Sequence, residues 1–241
     1  MNYEFDWAVL WSGPSGLWLL QGLVTTLKIS FLGWSIALCL GVFSGALRTI
    51  PVAPLRWLAV CYVEFFRNVP LLVWMFFAYF ALPPLLPLSV REWLFEHGAE
   101  FWAGVLALGV YHGARFSEVM RAGIQSIPKL QFEAAASTGL SIVQTYRLVM
   151  LPIALRLIIP PATNESLNLL KNSSVALTIG VAELTFQARQ IETYTAKAFE
   201  ALTAGTLIYL VLCVCIAAVM ARLEKRYAIP GMIAHKTVGE F

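Results

Sequence analysis

ALTAGTLIYLVLCVCIAAVMA, residues 201–221, runs without a charged side chain and is followed by Arg222, Lys225 and Arg226. About 20 such residues in a helix cross the ~30 Å of bilayer hydrocarbon. By the positive-inside bias, the basic residues behind the stretch place its end in the cytoplasm. Two further charge-free stretches, Ile29 to Leu47 and Asn68 to Val90, are long enough to do the same. Arg48, Arg56 and Arg67 lie between them against a single Glu64, so that connection belongs inside. The N-terminus with Glu4 and Asp6, and the segment with Glu92, Glu96 and Glu100, then fall outside.

Composition agrees. Of the 241 residues, 59% are hydrophobic and 13% charged, where a soluble domain carries about 25% charge. So little charge excludes a water-soluble enzyme and a disordered chain. It also excludes a nucleic-acid binder with a broad basic surface, so no nucleic acid is expected among the partners. Cys39, Cys61, Cys213 and Cys215 show no C-x-x-C spacing and read as buried small hydrophobes. No cationic start of a cleaved signal peptide precedes Lys28, so the first apolar run reads as a retained span.

Residues 91 to 200 must begin and end outside, with an even number of crossings between. The candidates are Phe101 to Arg121 and Leu157 to Glu183, separated by a basic stretch with Lys129 and Arg147. The expectation is an all-α integral membrane protein with five transmembrane helices, N-terminus out and C-terminus in. The approximate spans are 20–47, 62–86, 100–122, 155–182 and 201–224, within a single transmembrane domain over 1–241.

The third and fourth spans are interrupted by polar groups. A charge at mid-bilayer costs about 2.5–3.5 kcal/mol on insertion scales and so faces protein or a wet cavity. In the third, Tyr111, His112, Arg115, Glu118 and Arg121 stack on one helix face. In the fourth, Asn164, Asn168, Lys171 and Asn172 form a similar stripe, followed by Ser173 and Ser174. One reading is a polar translocation path. The other is helix-packing hydrogen bonds and i,i+3 pairs such as Glu118–Arg121, which suits those two better. Arg115 and the Lys171 stripe lie deeper and lack an obvious local partner. With Glu165, they need partners or water. Gly41-x3-Gly45 and Gly109-x3-Gly113 permit close helix approach and offer an oligomer contact.

The segment 126–152 is too long for a turn. It reads as helices over 128–138 and 142–150 broken at Gly139. Ser126 would cap the first, Ser141 and Gln144 would form a capping box for the second, and Pro152 would end it. Ala134, Ala135 and Ala136 leave a smooth face. Such a unit suits either a lipid surface or a cytoplasmic docking partner.

Glu133-Ala134-Ala135-x3-Gly139-x9-Val149-x-Leu151-Pro152 resembles the EAA loop of ABC importer permeases. Residues 64–73 (EFFRNVPLLV), 118–128 (EVMRAGIQSIP) and 168–177 (NLLKNSSVAL) are similar to segments of polar amino acid importer permeases. Likeness extends from about Gly16 to Tyr227 and is greatest to the glutamate/aspartate group. The resemblance implies a type I importer permease in the bacterial cytoplasmic membrane, working with a second permease subunit, identical or paralogous. Two ATPase subunits and an extracytoplasmic substrate-binding protein would complete it. Glu133, Ala134, Ala135, Gly139, Leu151 and Pro152 would then belong to the ATPase-coupling surface. The chain has no G-x4-G-K-[ST] loop, so ATP and its magnesium would sit on the ATPase subunits and no cofactor on this chain. His112, Arg115, Glu118, Asn164, Asn168, Lys171, Asn172, Ser173 and Ser174 are candidates for the path. Arg115 and Lys171 suit the extra carboxylate of glutamate or aspartate. Glutamine or another polar amino acid, and an ion-coupled carrier, are the alternatives.

Overall fold

The computed structural model of the chain describes residues 3–50 and 52–227. Every regular element among these residues is helical. Helix α1 (Ser15–Leu47) has 33 residues, about 50 Å at 1.5 Å per residue. Its two faces differ in size rather than polarity. Gly22, Thr26, Gly33, Ala37, Gly41 and Gly45 are buried, while Leu20, Phe31 and Phe43 are exposed. Where the solvent is as apolar as leucine, helices gain by close backbone approach, and small residues permit it.

The surface that meets this face belongs to the central helix, α5 (Ala99–Gln125). A Cβ on Gly41 would stand 2.7 Å from Phe116 Cδ1, and one on Gly109 2.6 Å from Ile36 Cγ2. The paired glycines expected to contact another copy are therefore consumed inside the chain. Tyr62 of α2 (Ala53–Arg67) crosses the same helix at Gly113, its hydroxyl donating to Val110 O at 2.9 Å.

The second expected span, 62–86, is not one straight helix. Helix α2 meets α3 (Leu71–Phe76) and the π-helical turn that continues it (Phe77–Ala81) at 99°. Pro70 lacks an amide hydrogen and drives Val69 out of helical geometry. The elbow's polar groups are satisfied locally. Asn68 Nδ2 donates to Glu64 Oε2 at 2.9 Å, and Trp74 Nε1 to Phe66 O at 3.2 Å. The short α4 (Leu88–Glu96) then leads into α5.

The connection 126–152 comprises α6 (Lys129–Ser137), α7 (Ile142–Thr145) and a π-helical turn (Tyr146–Met150) that flows into α8 (Leu151–Asn172). Gly139 separates α6 from α7 at φ +81°. The capping box on Ser141 and Gln144 is present, with bonds of 3.3 and 2.9 Å. Two expectations fail. Ser126 caps nothing ahead of it; its hydroxyl turns back to Gly123 O at the end of α5. Nor does Pro152 end a helix, because helical geometry is continuous from Ile142 to Ile179. A proline cannot donate to the carbonyl four residues back, and the ladder absorbs this by widening. Leu151 bonds to Tyr146 O just before Pro152, as Leu82 bonds to Phe77 O just before Pro83.

Helix α8 passes into a 3₁₀ stretch (Ser173–Ile179) that ends at Gly180, φ +89°. Helix α9 (Leu184–Thr195), absent from the expected topology, follows. The carboxylate of Glu183 caps it, accepting from Thr185 N and Phe186 N, and also accepts from Tyr209 Oη at 2.6 Å. The last helix, α10 (Ala198–Tyr227), begins with buried Glu200. Its carboxylate takes Asp6 N at 2.6 Å and the Tyr3 hydroxyl, strapping the N-terminal segment to this corner. Ser15–Leu47, Ile142–Ile179 and Ala198–Tyr227 are long and apolar enough to cross a membrane, and the bent α2–α3 pair makes a fourth such run. Cys39, Cys61 and Cys215 are exposed on the outside of the bundle rather than buried. Apolar surroundings in a membrane span need not be the protein's own interior.

Candidate functional site

Position 112 lies on the face of α5 turned to α8, and His112 is fully buried there. Its Nδ1 donates to Glu165 Oε1 at 2.6 Å, since an ionised carboxylate only accepts. Its Nε2 meets Asn172 Nδ2 at 3.2 Å. Arg115 Nε donates to the same Glu165 oxygen at 2.9 Å, and its guanidinium lies 5.9 Å from the centre of the Tyr111 ring. Glu165 and Asn172 are seven residues apart on α8, two helical turns along one face. Arg115, which has no obvious local partner in the sequence, finds one in Glu165. Its counter-charge sits on another helix, fifty positions away, where no periodicity within α5 could reveal it.

A second ionic group closes the other end of this surface. Glu118 accepts from Arg48 Nη1 at 2.7 Å, pairs with Arg121 three residues on, and faces Arg67 Nη1 at 3.8 Å. The i,i+3 pair anticipated for Glu118 and Arg121 is present, but as one part of a knot joining α1, α2 and α5. The side chain of Arg48 is 9% exposed. That is tolerable only with a counter-ion at hydrogen-bond distance.

Between the two groups lies a cavity of roughly 660 Å³, within the range of small-molecule sites. Arg67, Arg115, Glu118 and Glu165 line it, with Ser126, Leu157 and Pro161 toward the 126–152 end. Pro160 and Pro161 remove two donors from the α8 ladder at this wall. Arg67 reads from sequence as a flanking charge, yet the 99° elbow turns it into the cavity.

The remaining candidates divide. Asn164 and Lys171 are exposed on α8 and Asn168 is half-buried, so they lie beside the cavity rather than among its lining residues. Ser173 is buried with its hydroxyl on Leu170 O, and Ser174 bonds Lys171 O; both hydroxyls serve their own helix. In the 126–152 unit, Glu133, Ala134, Gly139 and Leu151 are exposed and Pro152 is half-buried. Ala135 is buried, so the expected smooth alanine face is narrower than three residues. What this unit exposes instead is Leu130, Ile142, Val143, Tyr146 and Leu148. Alternation of charge did not single them out, because apolar residues beside a span look like more span.

Similarity to known proteins is extensive. Residues 37–229 match the family described as "Binding-protein-dependent transport system inner membrane component". The chain is 39% identical to the glutamate/aspartate import permease protein GltJ of Escherichia coli (strain K12) over 246 residues, covering 98% of this chain and 100% of the relative. It is 34% identical to the glutamine transport system permease protein GlnP of the same strain, covering 94% and 99%. A solved structure titled "Crystal structure of an amino acid ABC transporter with histidines" superposes with a TM-score of 0.80 at 31% identity. That match covers 94% of this chain and 100% of the other. A binding-protein-dependent family leaves no ground for the ion-coupled carrier alternative. This chain belongs to the family of inner membrane components of binding-protein-dependent transport systems, as a permease subunit of an amino acid ABC importer.

Proposed function

We propose that this subunit carries acidic amino acids, glutamate and aspartate, across the membrane along the face of α5 and α8. The observation that carries the reading is the charge around the cavity. Arg67 and Arg115 line it and Arg48 and Arg121 stand behind, against only Glu118 and Glu165. An anionic solute gains from such an excess, and guanidinium groups bind carboxylates in bidentate fashion. The 39% identity to a glutamate/aspartate permease supports the same choice. Glutamine is the second reading, favoured by the 34% identity to a glutamine permease.

In this reading the chain crosses five times, N-terminus out and C-terminus in. The crossings are α1, the bent α2–α3 pair, α5, α8 with its 3₁₀ extension, and α10. Helix α5 counts although charged, because its charges are paired inside the protein. The exposed polar side of α8, with Asn164 and Lys171, is ill suited to lipid and is covered by a second permease subunit and water. Glu133 to Pro152 seats on an ATPase subunit, with Leu130, Ile142, Val143 and Tyr146 as its apolar contacts. ATP and its magnesium bind there and not on this chain. A binding protein delivers substrate from outside, and the permease is a two-state element biased from both faces.

Proteoliposomes holding this chain, its partner permease and ATPase test the reading. With binding protein outside and ATP inside, radiolabelled aspartate is expected to accumulate without an ion gradient. Accumulation of glutamine but not of aspartate or glutamate overturns the substrate choice.

A further inference from the structure

We infer that His112 is a positioning residue that fixes which atoms of Glu165 and Arg115 are left for the transported amino acid. This inference rests on the reading of the cavity as the substrate's path. Glu165 is 5% exposed, and one of its oxygens, Oε1, takes both protein donors, His112 Nδ1 at 2.6 Å and Arg115 Nε at 2.9 Å. No hydrogen bond to Oε2 is formed by any described residue. Arg115 spends only Nε on this contact, and its side chain is 40% exposed. Arg115 lines the cavity, and neither terminal nitrogen forms a hydrogen bond to a described residue within 3.5 Å, which leaves beside the Tyr111 ring the fork that suits a carboxylate.

The imidazole sets this division. The carboxylate can only accept, so Nδ1 carries the proton, and Nε2 is the acceptor that the Asn172 amide fills from the end of α8. Glu165 thus selects the tautomer, Asn172 complements it at Nε2, the imidazole holds Oε1, and Oε1 aims the guanidinium. An amino acid with a side-chain carboxylate would place it on Nη1 and Nη2 of Arg115 and its ammonium on Oε2 of Glu165. The relay joins α5 to α8 at the turn where α8 gives way to its 3₁₀ extension.

Single-residue mimics of the imidazole provide the test. The amide nitrogen of asparagine can stand where Nδ1 stands, whereas that of glutamine reaches toward the Nε2 position. Radiolabelled aspartate, glutamate and glutamine are each titrated onto the purified complex with its ATPase and no binding protein. Elution as an intact complex is the assembly control. His112→Asn is expected within about threefold of the unmodified complex, and His112→Gln weaker by about tenfold or more, the size of a lost charge-assisted hydrogen bond. Equal binding by His112→Asn and His112→Gln overturns the relay. An unmodified complex that binds glutamine but neither acid overturns the substrate reading instead, and the two variants are then compared on glutamine. Binding of none of the three overturns both.

Discussion

Alanine at position 45 isolates what holds the bundle together. A Cβ on Gly45 would lie 2.5 Å from Met120 Cβ and 3.0 Å from Ser117 O. Neither neighbour is the flexible end of a side chain. Ordinary contact begins at 3.4 Å, so α1 and α5 must part locally by roughly 1 Å. Overpacking of this kind costs about 1–3 kcal/mol, and carbon contacts on both sides lose part of their attraction. Alanine improves helix propensity by about 0.8–1 kcal/mol over glycine, which offsets part of the loss. The expected net is a destabilisation of about 1–2 kcal/mol, rising further for Gly45→Val. Gly16→Ala is the control. Its nearest neighbour, Leu10 O, stands at 3.4 Å, so the propensity gain should survive. Denaturation of the purified complex in mixed detergent micelles, followed by tryptophan fluorescence, reads both variants in one series. A midpoint for Gly45→Ala at or above that of the unmodified protein would refute close α1–α5 packing as the organising contact.

Gly139→Asn should retain most substrate-stimulated ATPase activity of the reconstituted complex, while Gly139→Val should lose most of it. Nothing lies within 4 Å of its Cβ position, so the difference reports only the backbone at φ +81°. Equal activity in the two would detach the turn from coupling. Arg115→Lys should fail to rescue the aspartate uptake lost in Arg115→Ala, because a single ammonium cannot bond Glu165 and also present a planar fork. Normal uptake by the lysine variant would reduce Arg115 to a point charge. Glu118→Gln removes the counter-charge of Arg48 and Arg121. Breaking a buried pair costs about 3–5 kcal/mol; with Glu118 29% exposed, solvent screening brings the expected loss nearer to about 1–3 kcal/mol. It is measured as a lower thermal midpoint.

What was legible in the sequence follows the range of the forces involved. Long charge-free runs report the bilayer directly, and α1 and α10 stand where hydropathy puts them, whereas α8, with Arg156, Glu165 and Lys171, was reached by counting crossings. The capping box at Ser141 and the break at Gly139 were readable because capping and positive φ are decided within four residues. The elbow at Pro70 was not, because hydropathy is blind to direction. A bent pair and a straight span have the same composition. Pro152 misled for a related reason. The missing hydrogen bond is certain from sequence, but whether the helix ends or widens depends on what its next turn packs against. Helix α9 was missed because its buried side, with Leu184, Ala188 and Ile191, is short, and Glu183, which caps it, reads from sequence only as the end of a span. At the candidate site, His112, Arg115 and Glu118 could be picked out as misplaced polarity on one helix face. Their partners Glu165, Arg48 and Arg67 come from three other helices, and pairing across helices leaves no trace in local spacing.

The two ionic groups differ in what they leave over, and that difference bears on selectivity. Glu118 is saturated by arginines, so it stabilises the ends of α1, α2 and α5 and offers little to a solute. Glu165 is half used, and so is Arg115. In a wet cavity with an effective dielectric near 20, a unit charge about 6 Å from another feels about 3 kcal/mol. Each uncompensated arginine at that distance thus shifts occupancy by about a hundredfold between a carboxylate and a neutral side chain, and by about the same factor again between a neutral and an ammonium side chain. Neutral side chains fall between. The charge excess therefore supports an order of acidic before neutral before basic amino acids, set by long-range potential. Choosing glutamate over aspartate is a question of one methylene, which such a potential cannot read. That choice falls to shape, in the apolar wall around Leu157 and Pro161 or in the binding protein that delivers the solute.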